Sequence, residues 1–366
     1  METEIVRIDP GRAREPESRE ILRRAGEIIK SGGLVAFPTE TVYGLGGNAL
    51  DATASRRIYA AKGRPSDNPL IVHIAETADL ERTAVEIPES AYALAARFWP
   101  GPLTMILKKH PDIPTETTGG LDTVAVRFPS HPVAQELIAA GGGFIAAPSA
   151  NRSGRPSPTT AAHCIEDLTG QVNMIIDGGE VGIGVESSIV DLTEEKPVIL
   201  RPGYITPSML REVLGEVETD PGLDAAADLP PEAGSGNVPA GPGPKAPGMR
   251  YRHYAPQGSM LLVTGDEAAM VERIRQETAQ ALAQGKRTAV IASRETADAY
   301  PGGVRVFVAG SRHDPAEVAH HLFGILRACD EEGMEMICAE GFEEGELSRA
   351  VMNRLEKACG HNIVRV

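Results

Sequence analysis

The chain has little of what marks secreted, membrane-bound or nucleic-acid-coating proteins. Among its 366 residues there are only four cysteines, Cys164, Cys329, Cys338 and Cys359. None stands in a C-x-x-C pair, so neither a zinc ribbon nor a dithiol redox centre is supported. Inert thiols of this kind suit a reduced, cytoplasmic protein. No apolar run approaches the ~20 residues of a membrane span. Residues 1–20 are charged and lack the apolar centre of a secretory signal. Positive charge is also short: 36 Lys and Arg stand against 51 Asp and Glu, a net charge of −15. A binder of long nucleic acid normally presents a basic stripe, so broad, nonspecific binding is disfavoured. A local cationic pocket is not.

What is present divides into three parts. The length allows two domains, each with its own core. Residues 1–218 interleave apolar runs and helical patterns. Residues 219–258 turn to Pro, Gly and Ala, the composition of a linker, and then to an aromatic, basic decapeptide, PGMRYRHYAP at 247–256. Tyr251, Arg252, His253 and Tyr254 are unlike a solvated linker and predict docking against another surface. Residues 259–366 alternate strand-like runs (260–264, 288–293, 304–310, 335–341, 362–366) with helical ones (266–284, 314–329, 346–359). This βαβ series predicts a small, Rossmann-like parallel sheet. Its first strand lacks a following G-x-G-x-x-G, so no dinucleotide site is implied.

The densest stretch is 37–74. LVAFP (34–38) reads as a buried strand ended by Pro38. Thr39, Glu40 and Thr41 follow where the chain leaves the sheet, and open α/β sheets place ligands outside such strand ends. Gly44, Gly46 and Gly47 read as a turn that lets backbone approach a ligand. A helix over 51–61, capped by Asp51, leads to Lys62-Gly63-Arg64-Pro65, where Pro65 forbids continuation. LIVHI (70–74) is the next strand and carries His73. Two cations at a helix end also complement the helix dipole, and a histidine in an apolar strand also serves as plain core. Further segments add weight. Arg127 in the strand TVAVRFP (123–129) needs an anionic partner or an edge. FIAAPSANRSGRPSPTT (144–160) runs from a strand into hydroxyl-rich loop before a helix, a setting for phosphate. Glu186-Ser187-Ser188 begins a strand, and Arg201-Pro202-Gly203 ends the next.

Taken in order, PTETVYGLG (38–46), KGRPSDNPL (62–70), FWPGPLT (98–104), VAVRFP (124–129), APSANRSG (147–154), ESSIVD (186–191) and RPG (201–203) resemble the YrdC-like family of carbamoyl-adenylate-forming proteins, in its long, two-domain form. The family signature, K-x-R and a distant S-x-N, falls on Lys62, Arg64, Ser149 and Asn151. The resemblance implies a YrdC-like twisted-sheet α/β domain with a concave cationic site, followed by linker and Rossmann-like domain. It implies synthesis of threonylcarbamoyl-AMP from L-threonine, bicarbonate or CO2, and ATP, with release of pyrophosphate. Downstream transfer proteins would pass the group to the tRNA adenosine next to the anticodon. Motif by motif, Lys62 and Arg64 would be catalytic. Thr41, His73, Arg127, Ala147 and Ser187 would hold threonine. Arg64, Asn68, Thr123, Ser149, Asn151, Ser157 and Arg201 would hold ATP, with Tyr251 or Tyr254 covering the nucleotide. Mg2+ would be held mainly through the ATP phosphates, with no protein-built metal site. Two other readings compete: an RNA-binding module without chemistry, which the acidic charge disfavours, and a carbamoyl-adenylate step of hydrogenase maturation, whose zinc-finger cysteine pairs are missing here.

Overall fold

Pro38 closes the strand Val35–Phe37, whose three residues are all buried, as the apolar run predicts. Asp51 caps the helix Ala52–Lys62, its carboxylate accepting from the Thr53 N–H at 2.7 Å, which satisfies a donor that the helix start leaves unpaired. Gly63 ends that helix at φ 61°, a left-handed stop open to glycine. Lys62 therefore sits in the last helical turn and Arg64 just beyond it. These elements belong to a computed structural model that describes residues 1–223, 244–247, 253–343 and 345–366. Most of the Pro/Gly-rich stretch, with Tyr251 and Arg252, lies outside the described residues.

The first domain is built on a mixed, twelve-stranded sheet. At its centre Val35–Phe37 pairs antiparallel with Gly44–Asn48, which pairs antiparallel with Phe144–Ala146. Phe144–Ala146 pairs antiparallel with Ile71–Ile74, and Ile71–Ile74 pairs parallel with Thr123–Arg127. Leu103–Lys109 and Ser188–Asp191 continue the sheet. The glycine-rich segment expected as a turn is thus a buried central strand. Packing explains its composition. A Cβ on Gly46 would lie 2.8 Å from Ile145 Cγ2 and 2.9 Å from Phe37 Cε1, closer than side chains approach. Helices cover the sheet. Pro16–Lys30 and Pro132–Ala140 bury Leu22, Ile29 and Leu137 against Val35, Phe37 and Ile145. A larger core gathers Leu45, Val72, Val126 and Ile58 with Leu94 and Phe98.

The second domain has the expected parallel sheet. Its strands lie in the order Arg305–Gly310, Thr288–Ser293, Met336–Glu340, Ser259–Thr264 and Ile363–Arg365, every pairing parallel. The helices Glu267–Ala283, Pro315–Glu331 and Ser348–Ala358 complete it. Asp266 and Asp314 each cap the following helix through two backbone N–H groups.

The two domains share apolar contact. Val42 and Val185 of the first belong to one buried cluster with Tyr254, Leu322, Phe323 and Leu355, and burying each valine contributes roughly 1.5–3 kcal/mol. Gly184 lets the surfaces meet. Its φ is +90°, and a Cβ there would lie 2.5 Å from Ala319 O and from His320 Cα and O. Gly184→Val should therefore separate the domains while sparing both cores. By scanning calorimetry we expect two resolved unfolding transitions in the variant, against transitions closer together in the parent chain.

Candidate functional site

A cavity lies where the first sheet meets the loop after Ala146 and the end of the linker, the kind of concave place where small molecules bind. Its charged lining is one-sided. Among the described residues Lys62, Arg64, Arg127, Arg155 and Arg201 face it against a single carboxylate, Glu186. In a chain of net charge −15, such a local excess of cations suits a polyanion.

The sheet supplies one wall. Ile71 and His73 are two residues apart, so they share a face, and both line the cavity with Ala147. His73 stands opposite Arg127, and Arg127 opposite Thr104. Thr104 Oγ1 is 2.7 Å from Ser187 Oγ, which accepts from Arg201 Nη2 at 3.1 Å. One polar row thus crosses five strand or strand-edge positions. The cavity lies over a face of the sheet, where the strand-end rule places ligands off the edge, because this register gathers the polar side chains on one face. His73 is buried edge-on to Phe37, and its Nδ1 is 3.1 Å from Ile71 O. Burial, then the charge of Arg127, pushes its pKa down to about 3. It is therefore a neutral hydrogen-bonding group at physiological pH. The anionic partner that Arg127 requires is Glu40, with Nη2 2.7 Å from Oε1.

A loop supplies the second wall. Lys62 Nζ donates to the carbonyl oxygens of Ser149 and Asn151 and, at 3.3 Å, to Asn151 Oδ1. Asn151 Nδ2 donates to Arg152 O at 2.8 Å and Arg155 O at 2.9 Å, while Oδ1 accepts from Ser149 Oγ at 2.5 Å. The two distant halves of the K-x-R and S-x-N pattern are one clasp, and much of the polarity of Asn151 is spent inside the loop. Burial, then Arg64, pushes the Lys62 pKa well below its usual value. An anion bound nearby would favour the charged form again. Arg64 Nη2 donates to Asn68 Oδ1 at 2.6 Å and to Pro69 O at 3.1 Å.

The third wall comes from both domains. Glu186 Oε1 accepts from Ser157 Oγ at 2.5 Å, and Oε2 accepts from Arg354 Nε at 3.1 Å. Tyr254 also hydrogen-bonds Glu186; burial, then this carboxylate, pushes the Tyr254 pKa up to about 12. Burial pushes the Glu186 carboxyl up, but Arg354, Arg201 and Ser157 together hold it below the usual range. Tyr254 stacks on Phe323 at 5.0 Å. Arg327, fully buried, donates to Pro156 O at 2.8 Å and to Asp167 Oδ2 at 2.7 Å. The second domain thus does more than anchor the linker: two of its arginines hold loops of the cavity.

Residues 27–203 match a family model described as telomere recombination, covering Sua5, yciO and yrdC proteins. Residues 205–360 match the threonylcarbamoyl-AMP synthase C-terminal domain. A threonylcarbamoyl-AMP synthase of Pyrococcus abyssi is 49% identical over 94% of this chain and 96% of its own length. The chain belongs to the threonylcarbamoyl-AMP synthase family. A second member, from Bacillus subtilis, is 43% identical over 94% of both chains. The crystal structure of P. abyssi Sua5 complexed with L-threonine superposes with a TM-score of 0.89, at 47% identity, over the whole of both chains. The family and the two-sheet α/β fold expected from the motifs therefore hold.

Of the residues that the motifs nominate, Lys62, Arg64, His73, Arg127, Ala147, Ser149, Asn151, Ser157, Ser187, Arg201 and Tyr254 all line the synthase-family cavity. Thr41 does not line it: it is fully buried behind Thr39, the two hydroxyls 2.9 Å apart, and Thr39 takes the lining position. Asn68 is buried and serves Arg64. Thr123 lies at the other end of the strand from Arg127, roughly 13 Å away at ~3.3 Å per residue. Tyr251 is outside the described residues. Glu186, Arg155 and Arg354 were not nominated. Only Glu186 carried a signal, a carboxylate set directly before the nominated Ser187.

Two outcomes follow from these buried charges. Arg354→Met leaves Glu186 without its main counter-ion, a change that typically costs about 3–5 kcal/mol. Urea unfolding should show that loss, and Arg354→Met/Glu186→Gln should recover part of it. His73 binds its proton far more readily unfolded, near pH 6.5, than folded, near 3. Its contribution is complete above pH 6.5 and declines as pH falls toward 3. Between pH 6.5 and 5 the parent chain should lose about 2 kcal/mol more stability than His73→Leu, measured by urea unfolding at both values.

Proposed function

We infer that this chain is a threonylcarbamoyl-AMP synthase, joining L-threonine, bicarbonate or CO2, and ATP and releasing pyrophosphate. The observation that carries this reading is a single cavity holding two unlike halves. One half is a corner of Arg127, His73 and Ser187, suited to a small amino acid with a hydroxyl. The other is a cationic bank of Lys62 and Arg64, suited to a triphosphate, and Arg201, bonded to Ser187, stands between the two.

The chemistry asks for two steps. The threonine amine, in its neutral form, adds to the carbon of CO2 and gives up a proton, which leaves an N-carboxylate. An oxygen of that carboxylate then attacks the α-phosphorus of ATP, and the bond to the β-phosphate oxygen breaks as pyrophosphate departs. Both partners in the second step are anions, so positioning and charge stabilisation supply most of the acceleration. Arg127 offers its guanidinium fork to the threonine carboxylate. Neutral His73 and the Ser187 hydroxyl read the substrate hydroxyl and amine, with the Ala147 backbone beside them. Thr41 supports this corner through Thr39. Lys62 and Arg64 stabilise charge growing on the α-phosphate, Asn68 fixes Arg64, and Arg201 faces the remaining phosphates. Ser149 and Ser157 add hydroxyl donors, Asn151 keeps the loop shaped, and Tyr254 walls the nucleotide side. Glu186, the one carboxylate lining the cavity among the described residues, is already bound by Ser157 and Arg354. Mg2+ would therefore be held by the ATP phosphates and not by Glu186, and would offset negative charge there. The product would pass to proteins that transfer the threonylcarbamoyl group to the tRNA adenosine beside the anticodon.

The test is pyrophosphate release by the full chain with ATP, Mg2+ and bicarbonate. We expect release that depends on threonine and is not supported by valine, because a site built to bond a hydroxyl rejects the isostere. Release independent of threonine would overturn the reading. Lys62→Ala/Arg64→Ala should stay folded and lose at least roughly 100-fold in turnover, given about 1.5–3 kcal/mol for each charge-assisted contact. Near-parental turnover in this double variant would remove both residues from the phosphate site.

A further inference from the structure

Of the five cations that face the cavity, four are bound to its walls. Lys62 donates to two loop carbonyls, Arg64 to Asn68 and Pro69 O, and Arg201 to Ser187 and Pro247 O, while Arg127 pairs with Glu40. Arg155 differs. Its side chain keeps 23% of its exposure, against 5% for Arg127. Its Nε makes no hydrogen bond, although buried polar atoms are almost always satisfied. A guanidinium has five N–H donors, and this one has capacity left over beside a cavity that suits a polyanion.

The acids that hold Arg155 have other partners. Its Nη1 donates to Asp167 and its Nη2 to Glu166 Oε1 at 2.8 Å, with Asp330 Oδ2 4.0 Å from Nη2. Arg327 donates to Asp167 Oδ2 at 2.7 Å and to Glu166 Oε2 at 3.3 Å. Asp167 also accepts from the Arg152 N–H at 3.2 Å, and Asp330 Oδ1 from the Gln257 N–H at 2.7 Å. Breaking a buried pair is costly when it leaves a charge uncompensated. Here, turning Arg155 into the cavity leaves each carboxylate with a remaining partner. For Asp167 and Glu166 that partner is an arginine of the second domain.

We propose that Arg155 is a further phosphate-binding residue: its guanidinium exchanges Glu166 and Asp167 for the phosphates of the nucleotide, while Arg327 of the second domain keeps both acids compensated. The proposal rests on the ATP-binding reading given above. Carboxylate and phosphate suit the same guanidinium fork, so the acids and the ligand compete for one group. The exchange also gives the second domain a part in nucleotide binding, since its arginine is what lets Arg155 go. The alternative role for Arg155, shaping the loop through Asp167 and nothing more, makes a different prediction, because a misshapen loop would weaken ligands with and without phosphate alike.

The experiment compares the full chain with Arg155→Gln. Calorimetry with Mg2+ present measures pyrophosphate, which has phosphate and no nucleoside, and adenosine, which has the nucleoside and no phosphate. Steady-state pyrophosphate release gives KM for ATP and for threonine. We expect Arg155→Gln to weaken pyrophosphate binding and raise the ATP KM by at least roughly tenfold, the scale of one charge-assisted contact, and to leave adenosine affinity and the threonine KM within about twofold. Arg155→Lys, which keeps the charge, should retain more pyrophosphate affinity than Arg155→Gln. Glu166→Gln removes a competing carboxylate at a half-exposed pair and should tighten pyrophosphate about threefold in the parent chain. In the Arg155→Gln background the same change should bring no gain, since the two residues act as a coupled pair. Unchanged pyrophosphate affinity in Arg155→Gln, equal weakening of pyrophosphate and adenosine, or an equal gain from Glu166→Gln in both backgrounds would overturn the proposal. Absence of any ATP affinity in the parent chain would instead overturn the functional reading itself, so the two failures are distinguishable. Circular dichroism and melting of each variant guard against misfolding.

Discussion

The buried carboxylate of Glu186 ties the molecule together. It accepts from Ser157 in the cavity loop, from Arg354 in the last helix of the second domain, and from Tyr254 at the end of the linker. Three segments far apart in sequence are thereby fixed to one point. A charge taken out of water is tolerated only when its partners are in place. The shape of the cavity and the docking of the second domain are therefore one equilibrium. Arg201 joins the same group from the end of the strand Val198–Arg201, and burial draws its pKa down to about 10 despite the pull of Glu186.

The Lys62 clasp acts on a smaller scale. It binds loop carbonyls directly, so the most buried cation of the site shapes the wall as well as charging it. Arg155, itself part of that loop, pairs with Asp167, and Arg327 of the second domain holds both Asp167 and the Pro156 carbonyl. Positive charge is thus placed by short-range contacts inside an acidic chain. This is why the sign of the whole protein says little about its site.

Much of the framework was legible because its causes are local. Apolar runs, Pro38, the Asp51 cap and the Gly63 stop act within a few residues, and the strands and helices appear close to the expected places. The need of Arg127 for an anion was legible too, since alternation sets an arginine among valines. Which anion answers it was not, because turn geometry rather than periodicity decides that Glu40 turns back. The glycines at 44, 46 and 47 misled as a turn for a related reason: the smallness of Gly44 answers Phe37, that of Gly46 answers Phe37 and Ile145, and that of Gly47 answers Leu34 and Ile58, a crowding visible only after the sheet is assembled. Arg354 and Arg327 were beyond reach, with acidic partners 168 and 160 residues away. Nothing in their helices separates them from surface arginines that snorkel to water.

The shared cluster around Val42 and Val185 has a bearing on modularity. A chain cut at the linker would carry more than a missing neighbour. Its first domain would present two bare valines, and Glu186 and Asp167 would lose Arg354 and Arg327 while keeping Arg201 and Arg155. An apolar patch beside acids that have each lost one counter-ion invites self-association. Separating the halves here is a redesign of an interior.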